Sequence, residues 1–215
     1  MPLFIPELSV ILAFALATVV LAITPGPDMA LQMSRAINYG RYHGLATAAG
    51  AMTGILVHTC LVALGISVLI VAAPAAFLVL KIAGALYLLW LAWQAITQGG
   101  GLRIAQKAAR VPTVMESYLT GVGINLLNPK VVLFFMTFLP QFVDRHDPAA
   151  GQKLFFLGAE FIMVSIPLAV LTVFAAERMA ALLVRSVWVQ RALNWSFAAV
   201  FTAFAATILL AEGRK

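Results

Sequence analysis

The sequence predicts an all-α integral membrane protein of six transmembrane helices, and three observations carry that prediction. Hydrophobic residues make up 63% of the 215 and charged residues only 10%. With a mean hydropathy of +1.00, this lies well outside the averages of soluble domains. Several uncharged runs approach or exceed the roughly 18–20 residues that a spanning helix needs. The basic residues behind the +6 net charge sit in short groups between those runs. They read as loop charges rather than as a phosphate-tracking face, so nucleic acid is not an expected partner.

The first span is expected over about Leu8 to Ile23. Residues 1–7 contain no lysine or arginine, so this run reads as a retained span rather than a signal peptide. It ends at Thr24-Pro25-Gly26-Pro27-Asp28. Pro25 and Pro27 remove backbone donors and break the helix. Pro27 then suits the first turn of a new helix, expected from Asp28 to about Ala36. The bland reading of Asp28 is an acid complementing the helix dipole. Freed backbone groups are tolerated in a membrane only when buried in protein or lining a wet cavity, so this break is a candidate site.

Span 2 is expected from Gly44 to about Val71. Gly44, Thr47, Ala51, Gly54 and His58 form a stripe at helical spacing, and Gly40/Gly44 and Gly50/Gly54 are GxxxG pairs that favour close helix packing. Cys60 reads as a small buried hydrophobe, and no thiolate metal site or disulfide is available. Span 3 covers about Phe77 to Ile96, with Lys81 near its end placed to snorkel. Residues 99–114 form a basic linker. Span 4 runs from about Ser117 to Val143 and is interrupted at Asn125-Leu126-Leu127-Asn128-Pro129-Lys130. After a polar loop from Asp144 to Gln152, span 5 covers about Leu154 to Ala175 with Glu160 and Pro167 inside it. Span 6 covers about Ala192 to Ala211.

Six spans place Arg35, Arg41, Arg103, Lys107, Arg110, Arg178, Arg185 and Arg191 on one side, against Arg145, Lys153, Arg214 and Lys215 on the other. The positive-inside rule makes the first side cytoplasmic and puts both termini outside. Pro27 and Pro129 lie 102 residues apart (129 minus 27), and the same offset joins His58 to Glu160. Three spans per half force a duplicated half to sit upside down. The chain therefore reads as two inverted three-helix repeats, 1–98 and 115–215, joined by the linker 99–114, with helices 1 and 4 broken by proline. A cation at mid-membrane costs about 2.5–3.5 kcal/mol on insertion scales, so Lys130 is expected to have an anionic partner or ligand. Glu160 is expected to face a cavity or partner. His58 is more often a hydrogen-bonded interior histidine than a proton carrier.

Three segments together resemble the LysE/RhtB family of bacterial amino-acid exporters over nearly the whole chain. They are Thr24-Pro25-Gly26-Pro27 with Gly40 and Gly44, Lys81 through Leu88, and Asn128-Pro129-Lys130 through Phe134-Phe135 to Leu139-Pro140-Gln141-Phe142. Asp28 departs from the asparagine that the family often has. The resemblance implies proton-driven export of amino acids or close derivatives across the bacterial cytoplasmic membrane. It also implies no cofactor, with amino-acid substrate, protons and the lipid bilayer as partners; a homo-oligomer is compatible with it. The expected substrate site combines Asp28, Lys130, Thr24, Gly26, Asn125 and Asn128. Asp28 faces the ammonium, while Lys130 and the N–H groups freed at Pro129 face the carboxylate; Asp28 and Lys130 would pair when the site is empty. Asp28, Glu160 and His58 are the proton-coupling candidates. An enzyme would need a metal cluster or a nucleophile–base set, and His43, His58 and His146 are far apart in sequence. A metal-ion exporter of the same architecture is the alternative, although a cation has little use for Lys130. A non-transporting scaffold would leave the buried charges unexplained.

Overall fold

The computed structural model describes residues 4–66, 110–144 and 147–178, together with isolated helical positions between 79 and 97 and between 186 and 206. The described residues are mostly helical and contain no strand. They place spans 1, 2, 4 and 5. Spans 3 and 6, Lys81, His146 and the linker 99–109 lie outside the described stretches.

Helix α1 (Leu8–Ile23) and helix α2 (Pro27–Tyr39) meet at a 53° bend. Pro27 occupies the first turn, as a residue without an N–H can. Helix α2 outlasts its expected end at Ala36 by nearly a turn and stops at Gly40, whose φ of 93° suits glycine. Gly40 is therefore a turn residue, and a Cβ there would meet nothing within 4 Å. The Gly40/Gly44 pair is not a packing motif.

Helix α3 (Arg41–Leu61) begins three residues before the expected start and relaxes into a wide π turn over Val62–Ile66. Its stripe of Gly44, Thr47, Ala51, Gly54 and His58 is buried. Helix α4 (Val114–Leu126) starts one turn earlier than Ser117, at a capping box. Thr113 accepts from the Glu116 N–H (3.1 Å), and Glu116 accepts from the Thr113 N–H (2.6 Å). Helices α3 and α4 cross with backbone against backbone. A Cβ on Gly50 would fall 2.1 Å from the Tyr118 carbonyl oxygen, and one on Gly121 would fall 2.2 Å from that of Thr47. At the same interface His43 Nδ1 meets Ser117 Oγ at 3.0 Å, and Thr53 Oγ1 meets the Tyr118 hydroxyl at 2.8 Å.

Only Leu127 and Asn128 interrupt the second broken span, so Asn125 stays helical. Helix α5 (Pro129–Leu133) leaves α4 at 51°. It widens into a π turn over Phe134–Phe138 and ends in a tight 3-10 turn, Leu139–Phe142. Pro140 explains the change of pitch: it has no N–H for the Met136 carbonyl, and its ring would press on that oxygen. Helix α6 (Ala150–Phe174) starts four residues before the expected Leu154 and carries Pro167 within it. Helix α3 (with its π turn) and helix α6 are each long and apolar enough to cross a membrane, and each bent pair qualifies as a span when taken together.

The main core lies between α1, α5 and α6. Phe14, Phe134, Phe135, Phe138 and Phe161 are almost fully buried there. Their rings stack at centroid distances of 4.7 Å (Phe134–Phe138) and 5.1 Å (Phe135–Phe161), with Phe142 edge-on to Phe14 at 5.2 Å. Aromatic burial of this kind favours tilted and edge-on rings.

Candidate functional site

The two bends face each other across a hollow of about 70 Å³. Its wall takes Leu21, Thr24, Gly26, Asp28 and Gln32 from the first broken span, and Asn125, Asn128 and Lys130 from the second. All six residues expected to bind substrate are therefore brought together, although Asp28 and Lys130 are 102 positions apart. The hollow is far smaller than the roughly 300–1,000 Å³ of ordinary small-molecule sites.

Lys130 is the hinge of this arrangement. Its Nζ donates to the carbonyls of Leu21 (3.1 Å) and Thr24 (3.0 Å), at the broken end of α1. A helix C-terminus carries unpaired carbonyls and partial negative charge, so a cation belongs there. The expected direct Asp28–Lys130 pair is not formed, because those carbonyls hold the ammonium instead. Gly26 makes room for it: a Cβ at that position would approach Nζ to 3.1 Å. Thr24 closes the same helix end by donating its hydroxyl to the Val20 carbonyl (2.6 Å).

The start of α5 is not left open. Asn128 Oδ1 accepts from the Lys130 N–H (3.0 Å), and the Asn128 carbonyl accepts from Val131 and Val132 (3.0 and 2.9 Å). The N–H groups expected to be freed at Pro129 are thus largely satisfied locally. Asn125 Nδ2 donates to Asp28 Oδ2 (2.8 Å) and presses against α3, where a Cβ on Gly54 would lie 2.5 Å from Asn125 Oδ1.

Around these bonds, several buried polar atoms make no hydrogen bond. They include Asp28 Oδ1, Asn125 Oδ1 and Asn128 Nδ2. Groups of this kind are rare in folded interiors, and each calls for an explanation. Two acceptors and one donor, beside an ammonium, suit a small molecule carrying both charges.

The proton-coupling candidates are placed differently. His58 is buried on α3 and packs 6.0 Å from the Phe135 ring, with Nε2 unpartnered among the described residues. Asp28 lies within electrostatic reach of both His58 and Lys130. Glu160 does not line the hollow; both its carboxylate oxygens are buried without a hydrogen bond among the described residues. Sequence reasoning missed Gln32 and Ser165 on the wall. Gln32 was legible, since it follows Asp28 by one helical turn. Ser165 carried no such signal.

Two broken helices that turn their polar ends toward one buried hollow define a membrane transport protein, the arrangement of many secondary transporters. The chain belongs to the LysE type translocator family, whose profile it matches over residues 19–212. It is 32% identical over 209 residues to the homoserine/homoserine lactone efflux protein of Salmonella typhimurium, covering 94% of this chain and 96% of that one. A leucine efflux protein of Klebsiella pneumoniae is 30% identical over 158 residues, 72% of this chain and 73% of its own. No solved structure matches the chain.

Proposed function

We propose that the protein exports an amino acid or a close derivative across the bacterial cytoplasmic membrane in exchange for protons. The observation that carries this reading is the set of unbonded polar atoms around the hollow. Asp28 Oδ1 and Asn125 Oδ1 accept from the substrate ammonium, and Asn128 Nδ2 and Lys130 donate to its carboxylate. The efflux names of the two relatives support it. In this reading the two halves, 1–98 and 115–215, are inverted repeats joined by a cytoplasmic linker, and both termini lie outside.

Phe161 joins the wall of the hollow to the phenylalanine cluster, and in this reading that cluster is the closed side, toward the outside assigned by the charge bias. Substrate then enters from the cytoplasm, past Gln32 and Thr172. The small volume requires α1 and α6 to part for loading, and Lys130 releases the α1 carbonyls as it turns to the carboxylate. A proton arriving at Asp28 from outside removes the charge that holds the ammonium, and substrate leaves. Glu160 and His58 are the second places where that proton can rest.

Proteoliposomes loaded with radiolabelled leucine or homoserine test this. Release should quicken when the compartment on the outer face of the protein is made acidic, and Asp28→Asn should abolish the response. Export indifferent to the gradient removes the antiport, and parental export by both Asp28→Asn and Lys130→Ala removes the site.

A further inference from the structure

Helices α2, α3 and α6 also converge on a groove of about 630 Å³, distinct from the hollow. Ala36 and Ile37 line it from α2, and Leu171 and Phe174 from α6. Its charges are Arg41, the first residue of α3, and Glu177 and Arg178, just past the end of α6. Helices α3 and α6 are each long and apolar enough to cross a membrane, and the start of one meets the end of the other here. The groove therefore lies at a membrane boundary. The Arg41 guanidinium sits 5.5 Å from the centre of the Tyr42 ring and 6.0 Å from that of Phe174. Contact with ring faces positions a guanidinium without using its N–H groups. Neither Arg41 nor Arg178 makes an ion pair or a side-chain hydrogen bond among the described residues. Beside these cations, Leu171 and Phe174 are 61% and 60% exposed.

We propose that this groove binds an anionic phospholipid, with the headgroup phosphate between Arg41 and Arg178 and an acyl chain along Leu171 and Phe174. A guanidinium matches phosphate oxygens two at a time, and basic pockets between spanning helices take lipid headgroups for that reason. The local charges favour an anion. Two arginines outweigh Glu177, and the N-cap residue Gly40 has no side chain to bond the first N–H groups of α3. The end of α6 opposes an anion, but Arg178 lies beyond it. A zwitterionic headgroup would bring an ammonium that the arginines repel. A free phosphate would use the guanidiniums and leave the exposed Leu171 and Phe174 uncovered, which is why the ligand is a lipid. This site requires only that the chain lie in a bilayer, and it stands apart from the solute exported and from the orientation of the termini.

The test is native mass spectrometry of the delipidated full chain in detergent, titrated with phosphatidylglycerol or with phosphatidylcholine of the same acyl chains. The parent should bind phosphatidylglycerol about tenfold or more tightly than phosphatidylcholine, as two arginines at a lipid surface imply. Arg41→Gln and Arg178→Gln should each weaken phosphatidylglycerol about fivefold, and the double variant should lose the preference. Glu177→Gln should strengthen it. Arg110→Gln serves as the control, because Arg110 is as exposed but pairs with Glu116 outside the groove, and it should change nothing. Size exclusion of each variant confirms that it remains folded, and Arg178→Gln, which removes no contact among the described residues, keeps the test open should Arg41→Gln misfold. Equal binding of the two lipids overturns the site. So does a loss in Arg110→Gln as large as in the groove variants, which would mark a diffuse surface field. Displacement of the lipid by millimolar glycerol phosphate, which has the headgroup charge and no chains, would mark a soluble-anion site and overturn the lipid assignment.

Discussion

The crossing of α3 and α4 and the meeting of the two bends are neighbours built on opposite rules. At the crossing, glycine lets backbone touch backbone, and the hydroxyls of Thr53 and Tyr118 and the His43 ring find partners across the interface. At the bends, polar atoms of Asp28, Asn125 and Asn128 are buried with bonds missing, and a hollow separates the chains. Asn125 belongs to both regions, with its side chain against Gly54 on one flank and bonded to Asp28 on the other. The difference teaches where each kind of residue is needed. Close packing holds an arrangement whose polar groups are incompletely satisfied and are therefore available to a ligand, as strain at functional sites is held by surrounding structure.

The comparison can be broken most decisively at the crossing. Gly50→Val and Gly121→Val place carbon atoms about 2 Å from backbone oxygens that cannot move away singly. Neither variant should yield a folded species in fluorescence-detected size exclusion. A monodisperse, parent-like peak would show that the two helices do not touch as described.

The bends should respond in the reverse manner, losing transport before fold. Asp28→Asn should lower export roughly 10- to 100-fold, the worth of a charged hydrogen bond to the substrate. Its melting temperature should equal or exceed the parent's, since a buried carboxylate with an unbonded oxygen disappears. Lys130→Met should lose export to a similar degree but melt earlier, because the carbonyls of Leu21 and Thr24 lose their cation. Equal melting shifts for the two would erase the distinction between a residue reserved for ligand and one that also clasps a helix end.

The smallest effect sharpens the comparison from outside the hollow. Thr113→Ala removes the cap of α4 and should cost about 1 kcal/mol, read as a modest drop in melting temperature. Export by the folded fraction should be unchanged. A large export defect would mean that the N-terminal end of α4 takes part in the transport cycle.

Much of this was legible from local chemistry. Pro25, Pro27 and Pro129 announce the two breaks because a residue without an N–H disrupts a helix wherever it stands. The Gly44–His58 stripe announces a packed face because helical spacing alone aligns it. Boundaries shifted where a cap decided them: Thr113 and Glu116 start α4 a turn early, and Gly40 ends α2 late by its positive φ. The wide turn at Phe134–Phe138 follows from Pro140, but reading it requires knowing that the helix continues to that residue.

The sequence by itself determined that the chain is apolar, helical and broken twice, and that Asp28 and Lys130 are charges needing an explanation in a membrane. It did so because proline, glycine and hydrophobic period act over a few residues. Only the tertiary structure decided what satisfies those charges. Lys130 turns to the end of α1 rather than to Asp28, the start of α5 is capped by Asn128, and Ser165 meets the same hollow without a partner. Those outcomes depend on which atoms of distant helices come within about 3 Å of one another, a length that hydrogen bonding requires and spacing along a chain does not encode.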